Sequence, residues 1–230
     1  MEHGFTWVGV IPGLSALPAH TATALVVTLL VLLLAWAARR GLDRAADPLV
    51  PDGRVTAREV LEMVTTFVAD LAESVIGHGA ERYVPFFASL FLFILCANLI
   101  GLVPGFTPPT DSFNTTVGLG AVSFLVYNYY GFREHGAKYG KQFLGPVIWL
   151  APLMLVVELF SHAFRPLSLA IRLYGNMFAD HLVLGIFTDL TKLVIPVIFY
   201  TLGAFVSLVQ AFVFTLLSMV YVALAVSHEH

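Results

Sequence analysis

The last long segment of the chain, from Leu193 to Ser227, contains no Asp, Glu, Lys or Arg. About 20 apolar residues are enough for a helix to cross the hydrocarbon core of a bilayer. The whole chain has the same character, since 58% of its 230 residues are hydrophobic and 12% are charged. A typical soluble domain has about 45–50% apolar and about 25% charged residues. These features indicate an integral membrane protein.

Five long apolar runs, of which only the fourth contains charged residues, predict an all-helical, single multi-pass membrane domain covering residues 1–230. The runs lie at about 21–38, 83–103, 115–132, 145–187 and 193–227. At 1.5 Å per residue the last two each exceed about 50 Å, and neither contains a turn-rich spacer. We therefore expect two strongly tilted helices. The first of them should kink at Pro166, whose ring removes a backbone hydrogen bond.

An amphipathic helix is predicted between the first two runs, at about 56–76. Thr56 and Glu59 fit a capping box, and Gly77 is a suitable stop. Apolar residues recur at helical spacing opposite charged ones; they are Val60, Val64, Phe67, Leu71 and Val75. Such a helix can lie in the cytoplasmic interface of the membrane or dock on another subunit, and both alternatives stay open.

The basic residues are unevenly distributed among the loops, which predicts the orientation. Those after the first and third runs are Arg39, Arg40, Arg44, Arg54, Arg58, Arg133, Lys138 and Lys141. Segment 106–116 has no basic residue, and segment 188–192 has one. The basic loops should face the cytoplasm, with the N-terminus outside and the C-terminus inside. The residues before the first run lack the charged n-region of a signal peptide, so this run is expected to be retained.

A polar seam runs along the fourth predicted helix and is centred on Arg172. Its other members are Glu158, Ser161, Arg165, Ser168 and Asn176, which fall within roughly 40° of Arg172 around a helix axis. An arginine in a bilayer costs between about 3 and 17 kcal/mol and usually marks a functional pathway. Arginine keeps its proton, so Arg172 can act only as a fixed charge.

Groups that can exchange protons flank Arg172 on both sides. Glu158 and His162 precede it, and Asp180 and His181 follow it. With the predicted orientation, Glu158 lies toward the cytoplasm and Asp180 and His181 lie toward the outside. Two polar routes separated by a permanent cation suit a protein that moves protons without leaking them.

Structural alternatives apply to several of these residues. Arg172 can belong to an interhelical ion pair, Arg165 can be structural or snorkel to the interface, and His162 is expected to be a packing histidine. Gln210 and Asn98 either line a route or join helices. The chain has no Walker-type phosphate loop and no cysteine cluster, since Cys96 is its single cysteine. We expect no cofactor, bound metal, nucleotide or nucleic acid.

Several segments resemble subunit a of the F-type ATP synthase. The signature around the arginine is Pro166-Leu-Ser-Leu-Ala-Ile-Arg172-Leu-Tyr-Gly-Asn176-Met-Phe-Ala-Asp180-His181, and further matches begin at Phe91, Pro109 and Gln210. The resemblance implies a stator subunit in a bacterial inner membrane, with a c-subunit ring and a b-subunit stalk as partners. It implies that Arg172 faces the ring carboxylates, and that ATP is formed elsewhere in the complex.

The resemblance also assigns the two sides of the proton path. Asn176, His181 and Gln210 match positions on the outer half-channel, and Glu158 and Ser161 match positions on the cytoplasmic one. One departure concerns members with a glutamate at the position of His181 and a histidine at that of Gly203. We expect Asp180 and His181 to form the outer relay here without a partner at Gly203. A self-contained proton or sodium transporter and a structural anchor subunit are the alternative functions.

Overall fold

The computed structural model describes residues 7, 17–44, 56–136, 139, 151–190 and 194–227. Within these residues the chain forms six long α-helices, three short 3₁₀ helices and no strand. The helices are α1 (Ala19–Arg44), α2 (Ala57–Ile76), α3 (Val84–Leu99), α4 (Phe113–His135), α5 (Ala151–Leu190) and α6 (Val194–Val226). The all-helical prediction is confirmed.

Four segments of the described chain are long and apolar enough to cross a membrane. They are Ala19–Leu42, Ala80–Leu102, Pro152–Thr188 and Pro196–Val226. The remaining predicted span corresponds to α4, which has 23 residues. It is not among the segments that are both long and apolar enough to cross a membrane. Its sequence includes Asn114, Ser123 and Asn128, which lower its hydropathy. The count of five spans therefore stays a prediction.

The first helix extends beyond its apolar run. Arg39 and Arg40, which close that run, are followed by further helix as far as Arg44. Arginine has a high helix propensity, and a positive charge near a helix C-terminus is favourable. A basic pair therefore ends the apolar run without ending the helix.

The predicted caps of α2 are present. The Thr56 side chain accepts a hydrogen bond from the backbone N–H of Glu59, which is one of the two bonds of a capping box. At the other end, Gly77 has a φ of 82° and donates its backbone N–H to the Glu73 carbonyl. A positive φ favours glycine, and this explains why α2 stops there.

The two C-terminal helices are continuous. Helix α5 has 40 residues and contains Pro166, and α6 has 33 residues. At 1.5 Å per residue they measure about 60 Å and about 50 Å, which is longer than the hydrocarbon core of about 30 Å. Their tilt and the kink at Pro166 stay predictions, and residues 145–150 of the predicted fourth run lie outside the described residues.

The core lies where α3, α4, α5 and α6 meet. Tyr83, Phe87, Tyr127, Leu173 and Met219 are buried there, and α4 packs against both α5 and α6. Helices α1 and α2 pack against each other and against α3. This arrangement leaves one long face of α5 uncovered.

Buried polar contacts hold the connection between α3 and α4 in place. Asn98 accepts a hydrogen bond from the Thr110 hydroxyl at 2.7 Å and donates to the Ser207 carbonyl at 3.4 Å. These bonds join α3, the connection (residues 103–112) and α6. Asn98 therefore acts as a link between elements, which is one of its two predicted roles.

Candidate ion pathway

Helix α5 has one buried face and one exposed face. Leu169, Leu173 and Met177 are buried. The exposed side chains include those of four polar seam residues, namely Ser161, Ser168, Arg172 and Asn176. Large apolar side chains such as Ile171, 51% exposed, and Phe178, 45% exposed, lie beside them. The seam is therefore a narrow polar line on an open apolar surface.

The Arg172 guanidinium belongs to none of the ion pairs within the described chain, which are Arg58–Glu62, Arg82–Glu134 and Arg165–Glu158. The structural alternative of an ion pair with an acid of its own chain therefore has no support among these residues. An exposed arginine on an apolar helix face needs either water or an acid from a neighbouring protein.

At one end of the seam, Arg165 has a structural role. Its guanidinium lies 3.5 Å from a carboxylate oxygen of Glu158 and 5.6 Å from the centre of the Tyr221 ring on α6. Glu158 nevertheless keeps 39% of its side chain exposed. An exposed ion pair contributes little to stability, and the Glu158 carboxylate stays partly accessible beside Arg165.

His162 lies one turn from Glu158 and is buried, with 8% of its surface exposed. Its Nε2 atom is 2.9 Å from the Asn128 side-chain oxygen. Its ring makes edge contacts with Phe124 and Tyr127. The prediction of a packing histidine is confirmed.

At the other end of the seam, Asp180 packs against Gly203 of α6. A Cβ atom on Gly203 would lie 2.7 Å from an Asp180 carboxylate oxygen and 2.9 Å from a methyl carbon of Leu102. These atoms occupy the space that a side chain at this position would need. The absence of a side chain at Gly203 therefore makes room for the carboxylate.

Three contacts define how α5 and α6 run side by side. The Phe187 and Phe199 rings stack at 4.4 Å, Asp180 meets Gly203, and Arg165 lies over Tyr221. The residue numbers rise along one helix as they fall along the other, so the helices are antiparallel. Interpolation between these contacts places Arg172 level with residues 211–214 of α6, immediately after Gln210.

Gln210 is buried, with 8% of its surface exposed. It follows Gly203 by seven residues, which is close to two helical turns, so the two residues lie on the same face of α6. Ser207 lies on that face as well and is 1% exposed. This face of α6 therefore brings the Gln210 amide to the level of Arg172.

Asp111, in the connection between α3 and α4, is a further ionisable group near this end of α5. Its Oδ1 atom is buried and has no hydrogen-bond partner among the described residues. Burial raises the pKa of the Asp111 carboxyl above its usual range, and the charge of His181 opposes this rise. Sequence reasoning did not select Asp111, although it is the only acid between Val103 and Ser112.

The arrangement separates two sets of ionisable side chains along α5. Glu158 and Asp180 are 22 residues apart in sequence, or about 33 Å along α5, which is close to the thickness of the hydrocarbon core. Arg172 lies between them and cannot release its proton. The described residues contain no group of three His, Cys, Asp or Glu side chains that can hold a metal ion.

Comparison with known proteins gives one consistent match. The family model described as ATP synthase A chain matches residues 21–223. ATP synthase subunit a of Bdellovibrio bacteriovorus is 47% identical over 98% of this chain and 99% of its own length. ATP synthase subunit a 1 of Syntrophotalea carbinolica is 43% identical over 92% of this chain and 87% of its own length. ATP synthase subunit a of Solibacter usitatus is 44% identical over 91% of this chain and 87% of its own length.

The family match includes Arg172 and the residues that flank it, since all of them lie inside the matched range. It also covers most of the helical bundle, from the first turn of α1 to the last turn of α6. The resemblance found in the sequence is thereby confirmed, and the chain belongs to the ATP synthase subunit a family.

Proposed function

We propose that this chain is the stator subunit that conducts protons through two offset half-channels and couples their flow to rotation of a c-subunit ring. The observation that carries the proposal is Arg172, which is exposed on the apolar face of α5 and has no acidic partner in the described chain. Leaving an arginine unpaired in a bilayer costs about 3 kcal/mol or more. A carboxylate on each ring subunit supplies the opposite charge.

The side chains on either side of Arg172 form the two routes. Asn176, Asp180, His181 and Gln210 form the outer route. Glu158 and Ser161 form the cytoplasmic route, which is why the partial exposure of the Glu158 carboxylate matters. A proton arriving by the outer route neutralises a ring carboxylate, which then rotates through lipid and releases the proton into the cytoplasmic route. Arg172 prevents a direct leak, because a proton cannot be passed through a group that never deprotonates.

The remaining features complete the assembly. Helix α4 acts as the fifth span, the N-terminus faces outward, and the C-terminus faces the cytoplasm of a bacterial cell, with the subunit in the inner membrane. The b-subunit stalk holds this chain still while the ring turns. ATP is formed elsewhere in the complex, and no cofactor or nucleotide binds to this chain.

The decisive experiment replaces the central charge in the assembled ATP synthase. Arg172→Ala should abolish both proton-driven ATP synthesis and ATP-driven proton pumping in inverted membrane vesicles. The complex should still assemble, because the guanidinium takes part in no ion pair within the described chain. Arg133→Ala is the matched control, since Arg133 is an exposed arginine in the last turn of α4, and it should leave both activities unchanged. Normal coupled activity in Arg172→Ala would reject the proposal.

Two other functions are outcomes of a second experiment with the purified chain in liposomes. A self-contained proton or sodium transporter would move its ion without a c ring. A structural anchor would move no ion with or without the ring. The proposed stator subunit requires the ring for proton flow and loses that flow in Arg172→Ala.

A further inference from the structure

Helix α1 has one buried face and one exposed face of different composition. Small or β-branched residues lie on the buried face, namely Thr23, Val27 and Ala38. Small residues are typical of the faces through which helices pack in a membrane. The opposite face carries large apolar side chains that are between 51% and 61% exposed, and we call them the exposed line; they are Leu25, Leu29, Leu32 and Trp36.

The exposed line ends in two arginines. Arg39 and Arg40 are both exposed, and they fall with the four apolar residues within roughly 100° of the helix circumference. Leu25 and Trp36 are 11 residues apart, or about 16 Å along the helix. This length is close to half the hydrocarbon core of about 30 Å. The exposed line therefore matches one leaflet, with its charged end at the level of the headgroups.

The Arg40 side chain is held in place by Trp36. Its guanidinium carbon lies 3.7 Å from the centre of the Trp36 ring, the arrangement of a cation–π contact. A guanidinium that stacks on a ring keeps N–H groups at its edge free, and their fork matches two oxygens of a phosphate. Neither Arg39 nor Arg40 belongs to an ion pair of the described chain. Both charges therefore remain available to an anion from outside the chain.

The neighbouring helix α2 brings no uncompensated charge of either sign to this contact. A Cβ atom on Gly41 would lie 3.6 Å from the Arg58 Cβ atom, so the start of α2 packs against the end of α1. The Arg58 Nε atom lies 2.7 Å from a carboxylate oxygen of Glu62. Residues 3–42 contain no Asp or Glu. The charge at the end of the exposed line is therefore positive.

We propose that this face of α1 binds an anionic phospholipid. The phosphate pairs with Arg39 and Arg40, and an acyl chain lies along the exposed line. A lipid fits this face better than a second helix does, because between Leu25 and Arg40 the face has none of the small residues that let helices approach closely. In the orientation proposed above, the lipid belongs to the cytoplasmic leaflet.

The first test uses the fluorescence of Trp36 in the full chain, reconstituted in vesicles. Trp7→Phe and Trp149→Phe leave Trp36 as the only tryptophan of the three. The vesicles contain phosphatidylcholine with a small, fixed fraction of phosphatidylglycerol, and bromine atoms on the acyl chains of one lipid or the other quench the indole. Per molecule, brominated phosphatidylglycerol should quench about fivefold more strongly, the preference expected for one arginine near an anionic headgroup.

The controls vary the charge and the anion. The double variant Arg39→Gln/Arg40→Gln should lose the preference, and Arg40→Lys should reduce it, because lysine keeps the charge without the planar fork. Arg133→Gln should retain the preference, since Arg133 is an exposed arginine in the last turn of α4. Each variant is compared as a ratio between the two lipids, so changes in the brightness of Trp36 cancel. Excess inorganic phosphate should leave the ratio unchanged, because it has no acyl chain.

A second test identifies the occupant in the assembled ATP synthase. In a Cys96→Ser background, Leu29→Cys carries a photoactivatable benzophenone on the exposed line. Illumination should add the mass of a phospholipid to this chain. A cross-link to another subunit instead would overturn the lipid as the occupant.

The fluorescence outcomes are equally decisive. Equal quenching of Trp36 by the two lipids would overturn the site, and so would a preference that survives in the double variant. Loss of the preference in excess inorganic phosphate would show a site for the free anion and would overturn the lipid. If the double variant does not insert into vesicles, an undiminished preference in Arg40→Lys overturns the pairing of Arg40 with the phosphate.

Discussion

At the scale of single residues, the missing side chain at Gly203 determines where the Asp180 carboxylate can lie. Gly203→Ala should displace that carboxylate, because the new Cβ atom would lie 2.7 Å from its oxygen. We expect slower proton-driven ATP synthesis with only a small loss of stability, since the obstructing atoms belong to the ends of two side chains. Gly185→Ala is the control, because a Cβ there meets nothing within 4 Å. Equal rates for the two variants would contradict this role of Gly203.

Asp111 carries a prediction about pH and stability. Because burial raises the pKa of its carboxyl in the folded chain, ionising it costs folding free energy above the pKa of the unfolded chain. Asp111→Asn removes that cost. The variant should therefore melt at a higher temperature than the wild type near pH 7, and the difference should shrink as the pH falls and the wild-type carboxyl becomes protonated.

The measurement is thermal unfolding in detergent across a pH series, with Asp70→Asn as the control. Asp70 is exposed on α2, so its removal changes the net charge by the same amount without changing a buried group. A wild type that is more stable than Asp111→Asn near pH 7 would contradict the prediction.

At the scale of helices, α4 and α5 approach each other closely where Gly120 meets Pro166. A Cβ on Gly120 would lie 2.6 Å from the Pro166 carbonyl oxygen, which is a backbone atom of a long helix and cannot move aside. Gly120→Ala should therefore destabilise the folded chain by about 1–3 kcal/mol, the usual range for overpacking.

Gly118 provides the control for that substitution on the same helix. A Cβ at Gly118 meets nothing within 4 Å, and replacing a helical glycine by alanine gains up to about 1 kcal/mol of helix propensity. Thermal unfolding in detergent should place Gly118→Ala at or above the wild type and Gly120→Ala below it. The reverse order would show that the two helices do not approach closely at this point.

The helices themselves could be predicted from the sequence because their signals are local. A long, mainly apolar run identified α5, an uncharged run identified α6, and the capping residues identified the ends of α2. The polar seam could be found because all its members lie on one helix and share its periodicity. The proximity of Asp111 to His181 and of Asp180 to Gly203 could not be predicted in this way. It depends on how separate elements pack, and helical periodicity contains no information about that.

At the scale of the whole molecule, one labelling experiment tests both the predicted orientation and the predicted fifth span. Thr107 precedes α4 and Arg133 lies in its last turn, so the two residues face opposite sides of the membrane if α4 crosses it. In a Cys96→Ser background, an impermeant thiol reagent should label Thr107→Cys in intact cells with a permeable outer membrane. It should label Arg133→Cys only in inverted vesicles. Labelling of both positions from one side would contradict a fifth span.

The uncovered face of α5 also has a consequence for how the subunit is made. If a ring carboxylate neutralises Arg172, as proposed, a newly inserted copy without the ring holds an unneutralised cation against lipid and is less stable in the membrane than the assembled one. Cells that produce the chain without its ring should therefore clear it by proteolysis. Pulse-chase labelling should show a short lifetime that co-expression of the ring extends.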